Sequence, residues 1–361
     1  MNSSFSAELP IQYEVVARSG VTPIPSGAGR FTGFGAPPAI DDAGNVAFTG
    51  GGNSEFGVYT ASGVCCQKVV DNHTPIPSGG GATFVGFDFA DSYDIDGGRV
   101  AFRLTHSSYP LRVGFYSSAG QSSPTDVVEV AMFEDSEWSE AGDPWVDGDS
   151  VAIMGRRLIP SDHYTILRWE GGGLSANFVD PGDGYIFGAT QASISGDVAI
   201  FGRYSAALRS AEVAIAGGGA EETLLVFNST PIPGTNGVKF TDISTHLAVE
   251  RGGQDAAFVG YGSQTRALVK RVAGGALENV ANNSMSIPGA ANDMFQLFSE
   301  SGFSLANGQV VFSASGLYGR EWIYTDIGGE LSVLLVNEAN NTIELDGVLE
   351  QVTRFEIGPH A

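Results

Sequence analysis

Thr22-Pro23-Ile24-Pro25-Ser26-Gly27 returns as Thr74-Pro75-Ile76-Pro77-Ser78-Gly79, then as Thr230-Pro231-Ile232-Pro233-Gly234, and in shortened form as Ser286-Ile287-Pro288-Gly289. The second prolines stand at 25, 77, 233 and 288, giving steps of 52, 156 and 55, and 156 is three times 52. Two intervening copies have therefore kept the spacing and lost the motif. A second marker fills those gaps: Gly44-Asn45-Val46-Ala47-Phe48, Gly98-Arg99-Val100-Ala101-Phe102, Asp149-Ser150-Val151-Ala152-Ile153, Gly196-Asp197-Val198-Ala199-Ile200, Gln254-Asp255-Ala256-Ala257-Phe258 and Gly308-Gln309-Val310-Val311-Phe312. Its third residues step by 54, 51, 47, 58 and 54. Self-similarity at such a period marks a repeat architecture in which each copy is one supersecondary unit.

Each unit reads as four short strands separated by turn residues. In the second they are Thr83 to Phe89, Arg99 to Leu104 after an Asp-Gly-Gly turn, Val113 to Ser117, and Val127 to Val130. Four strands per unit of this length is the blade of a β-propeller. A parallel β-helix needs a much shorter period, and a sandwich would not repeat its sequence. The fold class read from the chain is therefore all-β, a single β-propeller of four-stranded blades.

The order of an apolar strand, an Asp/Asn-rich Gly turn, a Val-Ala-Phe strand, a Gly-Val-Tyr strand and a Gly-Gly turn resembles the WD40-like repeat of TolB-type propellers. The Thr-Pro-Ile-Pro and Gly-x-Val-Ala-Phe combination is similar to the tandem repeats of exported bacterial proteins. The resemblance covers nearly the whole chain. It implies that the first strand of each unit is innermost and the fourth outermost, and that the protein is extracellular or on the cell surface. The units fall near 31–70, 83–130, 142–180, 187–228, 238–282 and 294–336. The ends leave strands at Phe5 to Leu9, Tyr13 to Ala17 and Val352 to Ile357, so that 350–361 with 4–18 is expected to form a closing blade. Seven blades joined through the termini is the expected ring, with six blades as the alternative.

Composition agrees with a folded β chain rich in turns. Of 361 residues, 42% are hydrophobic, 10% aromatic and 50 are Gly, about twice the usual glycine share of roughly 7%. With 41 acidic against 18 basic residues the formal charge is −23, which repels phosphate backbones and anionic headgroups and argues against nucleic acid and membrane surfaces as partners. Nothing between Met1 and Pro10 resembles a signal peptide, and no apolar run is long enough to span a bilayer. Cys65 and Cys66 are adjacent. On a strand they would point to opposite faces, so they are expected to be two unrelated thiols, with no metal site and no disulfide framework.

The site expectations follow from the propeller. The motif loops share a rim with the loops joining second to third strands, around Phe56, His106 to Tyr109, Ser161 to Tyr164, Tyr204 to Arg209, Tyr261 to Gln264 and Tyr318 to Arg320, and each carries an aromatic residue. Tyr109, Tyr164, Tyr204, Tyr261 and Tyr318 form a platform for a glycan or for a peptide or protein ligand; the bland reading is that they cap blade ends. The third unit replaces the motif with an acidic loop holding Trp138 and Trp145, and eight of the fifteen arginines fall in units two to four. This composition raises the alternative of a carbohydrate-active enzyme, a polysaccharide lyase acting on uronate-containing glycans. In it a cation neutralises the uronate carboxylate and a His or Tyr abstracts the α-proton, the candidates being Arg203, His163, Tyr164, Arg103 and His106. Tyr93 and His246 fall on innermost strands and are expected at the channel. Asp41-Asp42-Ala43-Gly44, Asp94-Ile95-Asp96-Gly97, Asp147-Gly148-Asp149 and Asp180-Pro181-Gly182-Asp183-Gly184 gather carboxylates on turns. Tight turns require these residues for local hydrogen bonds and positive φ, and none forms the twelve-residue calcium loop, so turn chemistry is preferred to calcium and no cofactor is expected.

Overall fold

The computed structural model describes residues 15–25, 27, 29–35, 38–77, 80–85, 93–106, 113–118, 126–133, 138–157, 163–170, 173–179, 185–186, 192–195, 198–205, 210–217, 220–226, 228–250, 255–272, 275–290, 293–317, 321–336, 342–345 and 348–351. Apart from one short 3₁₀ turn at Ile327–Gly329, every regular element among them is a strand. The first sheet spans 33–71, the second 84–133, the third 138–179, the fourth 185–226, the fifth 242–282 and the sixth 295–336, and a separate hairpin pairs Thr342–Leu345 with Val348–Gln351. All pairings are antiparallel between chain neighbours, as short Gly, Asn and Asp turns dictate.

The innermost strand is interrupted in all six. In the first sheet Gly33–Phe34 and Ala39–Ile40 both pair with Val46–Gly52, and the second and fourth sheets repeat that split. The third, fifth and sixth keep one strand with a register shift in the middle, at Ala141/Pro144, Ile243/Leu247 and Phe298/Phe303. A bulge increases local twist, which suits strands crowded toward an axis.

Stacked apolar faces hold the sheets together. Ala47, Val58 and Val70 of the first meet Phe84, Tyr93, Val100 and Phe102 of the second, and Ala257, Val259 and Leu268 of the fifth meet Phe295, Phe312 and Tyr324 of the sixth. Within a sheet the Val-Ala-Phe strand pairs its Phe with a Tyr: Phe48 with Tyr59, Phe102 with Tyr116 and Phe312 with Tyr324. In each case the aromatic after the motif loop abuts that Tyr edge-on, Phe31 at 4.9 Å, Phe84 at 4.8 Å and Phe295 at 4.9 Å between ring centres. Offset and edge-to-face contacts are the favoured geometries for ring pairs.

The turn carboxylates have a structural use. Asp41 accepts hydrogen bonds from the N–H groups of Ala43 (3.0 Å) and Asn45 (2.8 Å), from Asn45 Nδ2 (2.7 Å), and from the N–H of Gly98 in the next sheet (3.0 Å). Asp94 accepts the N–H of Val146 at 2.7 Å, Asp96 that of Gly148 at 2.6 Å, and Glu250 those of Asn307 and Gly308 at 2.8 and 3.1 Å. Each bond spans 52 to 58 residues, one repeat. Lys270 adds a link between the fifth and sixth sheets, donating to Asp326 Oδ2 (2.6 Å) and Gly308 O (2.8 Å).

Two expectations are corrected. Five blades are detected in the ring, which overturns the seven-bladed closure through the termini and the six-bladed alternative with it. Hydrogen-bonded sheets and blades do not correspond one to one here. Six of the sheets hold four or five strands and the last only two, and inner-strand packing joins consecutive sheets through five interfaces, from Ala39–Ile40 on Tyr93–Asp96 to Asp242–Val249 on Phe295–Ala306. Repeat counting reads local strand pairing, whereas the blade number depends on radial packing between distant segments. Phe5 to Leu9, Val352 to Ile357 and most of Tyr13 to Ala17 lie outside the described residues. The second correction concerns Cys65 and Cys66, which are joined by a disulfide at the edge of the first sheet. Their Cα atoms are 3.3 Å apart, so the alternation that separates neighbours on a regular strand does not operate there.

Asp41→Ala removes the acceptor shared by two sheets and strands the buried Gly98 N–H. A loss of about 1–3 kcal/mol in unfolding free energy is expected by urea denaturation, while Asp149→Asn, on an exposed carboxylate paired with Arg99, leaves the midpoint where it was.

Candidate binding rim

The four motif copies build the same closure. An isolated bridge joins Pro23 to Arg30, Pro75 to Thr83, Pro231 to Lys239 and Ser286 to Met294. Proline has no N–H to give, and in the three copies with proline, as in the fourth with Ser286, the following Ile donates, to Gly29 O, Ala82 O, Val238 O and Asp293 O at 2.7 to 3.0 Å. Ile24, Ile76, Ile232 and Ile287 are buried beneath their loops. Gly234 and Gly289 follow the second proline at φ 71° and 75°, the conformation that a Pro-Gly turn requires and a side chain resists.

In three of the four copies an asparagine stands three residues ahead of the bridge position, and Asn72 and Asn283 tie the loop to the neighbouring hairpin. Asn72 donates from Nδ2 to Ser54 O (2.9 Å), accepts the Phe56 N–H at Oδ1 (3.3 Å), and donates its own N–H to Phe56 O (3.0 Å). Asn283 does the same with Gln264 O (2.9 Å), the Arg266 N–H (3.2 Å) and Arg266 O (3.0 Å). Motif loop and second-to-third hairpin are thus one clasped unit on the rim. Its sequence signal is Asn72, Asn228 and Asn283 at a constant offset from the motif.

Beside the first clasp lies a cluster of titratable groups. Asp71, almost fully buried, accepts from Lys68 Nζ (2.7 Å), Thr74 Oγ1 (2.7 Å) and the His73 N–H (3.0 Å). Burial acts to raise its pKa, but the bonds from Lys68, Thr74 and His73 outweigh it and hold the carboxyl below its ordinary value. Glu55 goes the other way: burial, and then the Asp71 charge and a hydrogen bond shared with that carboxyl, raise it. Tyr59 is fully buried beneath them, its hydroxyl without a hydrogen-bond partner, and its pKa is raised by burial and by the charges of Glu55 and Asp71. A Cβ on Gly57 would meet the Tyr59 hydroxyl at 3.1 Å, and Gly57 is the cross-strand partner of Asp71, so the hydroxyl is directed at the cluster. A Cβ on Gly27, in the first motif loop, would overlap the Glu55 carboxyl. Phe56, next to Glu55, is 43% exposed.

The expected site residues divide. Tyr109 and Tyr318 lie outside the described residues. Tyr261 is half-buried, packs on the core between the fifth and sixth sheets, and carries the Arg266 guanidinium 5.7 Å from its ring centre. Trp145 is buried with Ile166, Ile194 and Phe201, facing the core, not the rim. Tyr93 is buried between the first two sheets. Arg103 stands opposite Phe115 and His106 opposite Phe84 on the second sheet. In the third sheet the register sets Trp138 opposite Arg157, Arg157 opposite His163, and Arg156 opposite Tyr164. Arg203 and Tyr204 stand opposite Glu212 and Ala211 in the fourth, and His246 lies in the innermost strand of the fifth. Among the described residues no group of three or more His, Cys, Asp or Glu is placed to hold a metal ion, and no helix is long and apolar enough to cross a membrane.

No protein-family model matches this sequence, and no curated protein matches it significantly. Solved structures do resemble it. A Mycobacterium tuberculosis puromycin-hydrolyzing peptidase superposes with a TM-score of 0.51 and 13% identity over 86% of this chain and 46% of its own, so the chain spans just under half of that protein. The β-propeller domain of the Trilobed protease from Pyrococcus furiosus (TM-score 0.46, 10% identity, 83% and 84% covered) and an oligogalacturonate lyase in complex with manganese (0.47, 13%, 82% and 77%) are also similar. At such identities the likeness is one of fold: the chain is an all-β β-propeller of small antiparallel sheets arranged in a ring.

Two outcomes follow from the rim geometry. Asn72→Ala and Asn283→Ala are each expected to cost about 1 kcal/mol and to speed amide exchange at Phe56 and Arg266 respectively. A raised carboxyl binds its proton more tightly folded than unfolded, so Glu55's contribution is full below its ordinary value of 4.5 and is lost as pH rises through its higher folded value. Asp71's contribution runs oppositely, present above 3.8 and lost as pH falls through its lowered folded value. Urea midpoints between about pH 4 and pH 8 should therefore decline more steeply for the native protein than for Glu55→Gln; parallel curves would refute the Glu55–Asp71 coupling.

Proposed function

We propose that this propeller is a non-catalytic binding module that takes a glycan or a protein or peptide ligand on the rim formed by the motif loops and the clasped hairpins. The observation that carries this reading is Phe56: a large apolar side chain, 43% exposed, on a hairpin that Asn72 clasps to the motif loop. Uniform scaffolds carry function on such varied loops. By its resemblance to tandem-repeat proteins and TolB-type propellers the module works outside the cell or at its surface, and its charge of −23 favours neutral or basic ligands over nucleic acid.

A second reading, a polysaccharide lyase, draws on the third sheet, where the register sets Arg156 and Arg157 against Tyr164 and His163. Both readings meet in one experiment, a panel of neutral and uronate-containing glycans and of peptides read for binding and for the absorbance of unsaturated uronates. Binding without product, weakened about tenfold by Phe56→Ala, is the expected result. Product formation abolished by His163→Ala or Tyr164→Ala would replace the binding module with the lyase.

A further inference from the structure

We propose that Cys65 and Cys66 are a redox site: a disulfide opened and closed by exchange with a dithiol reductant, whose state sets how firmly residues 16–22 are held on the first sheet. The inference goes beyond the binding reading and stands independently of it.

A bond between adjacent residues is a poor staple. Disulfides stabilise a fold chiefly by closing a loop of the unfolded chain, and more for longer loops; a sequence separation of 1 closes none. The chain has no other cysteine, so the pair exchanges with an external partner and not within the fold. It is open to one. Val64–Asp71 is the outermost strand of the first sheet, with Cys65 exposed and Cys66 half-buried.

The register locates the bond on a local irregularity. Thr60 stands opposite Gln67 and Ser62 opposite Val64, so Ala61 alone faces both cysteines, a bulge with one extra residue. The matching stretches of the second and fifth sheets pair residue for residue, Ser117 and Ser118 with Val128 and Val127, Lys270 and Arg271 with Glu278 and Leu277. The repeat does not require the extra residue. A bond between neighbours goes with it, because regular alternation would send the two sulfurs to opposite faces. On the core side, Cys66 packs with Val16, Ala17 and Val46 against Ile24, Phe31, Tyr59 and Ala61, and its Sγ lies 3.9 Å from the Val16 carbonyl oxygen. From there the chain is bonded up to the first motif loop: the Arg18 N–H donates to Thr22 Oγ1 at 2.9 Å, and the Gly20 N–H to Phe31 O at 2.7 Å.

Exchange runs through a mixed disulfide. A thiolate of the reductant attacks the exposed Cys65 sulfur, the S–S bond breaks, and Cys66 leaves as a thiolate and takes up a proton. The reductant's second thiolate then attacks its own sulfur in the mixed disulfide; Cys65 leaves and is protonated, and the reductant departs as a disulfide. The pair has gained two electrons and two protons, which the reductant has lost. Once opened, the strand is free to pair residue for residue, with Cys66 opposite Ala61 on the core face and Cys65 turned to the other. The Cys66 sulfur then carries a hydrogen for the Val16 carbonyl, which a disulfide sulfur lacks. The reduced form therefore holds residues 16–22 more firmly, and the oxidised form loosens them.

In the test, the whole chain is equilibrated without denaturant in mixtures of reduced and oxidised dithiothreitol, then read by thiol alkylation with mass spectrometry and by amide hydrogen exchange. Both thiols are expected to appear together in the folded protein and to vanish again on oxidation. Exchange at Ala17, Arg18 and Gly20 should be about fivefold slower in the reduced form, with Arg266 in the fifth sheet unchanged and the urea midpoints of the two forms alike. Cys65→Ser, which keeps the Cys66 thiol and cannot form the bond, should exchange slowly in every mixture, and Cys66→Ala fast in every mixture. A pair alkylated only after unfolding, thiols that stay free in the oxidised mixtures, a midpoint that falls on reduction, or exchange beside Val16 that does not slow would each overturn the proposal.

Discussion

A carboxylate on the turn of one sheet accepts the backbone N–H of the next sheet's inner turn, and this contact recurs at one-repeat spacing. Backbone donors at a crowded axis are shielded from water and require an acceptor. Supplying it from the neighbouring copy ties the second sheet to the first, the third to the second and the sixth to the fifth. Part of the chain's acidity is therefore structural. It also explains why the Asp-rich turns look like cation loops in sequence while Asp41 spends its oxygens on N–H groups.

The core and the rim share residues. Tyr59 belongs to the ring trio of Phe31 and Phe48 that fills the first sheet, and the same side chain delivers its hydroxyl beneath Glu55 and Asp71. Tyr324 occupies the same register in the sixth sheet, with its pKa raised by burial and by Asp293. In the third and fourth sheets the pair at that register is Ile153 with Leu167 and Ile200 with Ile215, and in the fifth Phe258 with Val269. Those sheets pack without a tyrosine at that register, so a repeat uniform in strand order differs between its copies in what lies beneath the rim.

The repeat alone carried the all-β class, the strand order, and the shared rim of motif loops and hairpins, because hairpin pairing is set by turn residues and alternation within a few residues. The Asn72 and Asn283 clasps were written in it too, at a fixed offset that becomes meaningful only once the hairpin they reach is seen. Trp145 could be read as a ligand contact because an acidic loop surrounds it; the fold turns it inward among Ile166 and Phe201.

What the amino-acid order determined by itself is local: which segments extend, where they turn, and which faces are apolar. The tertiary structure decided the blade number, the Cys65–Cys66 bond, and the meeting of Glu55 with Asp71 over Tyr59. These depend on packing between segments, and no periodicity records how closely two carboxyls approach once a strand pairs and a loop closes over them.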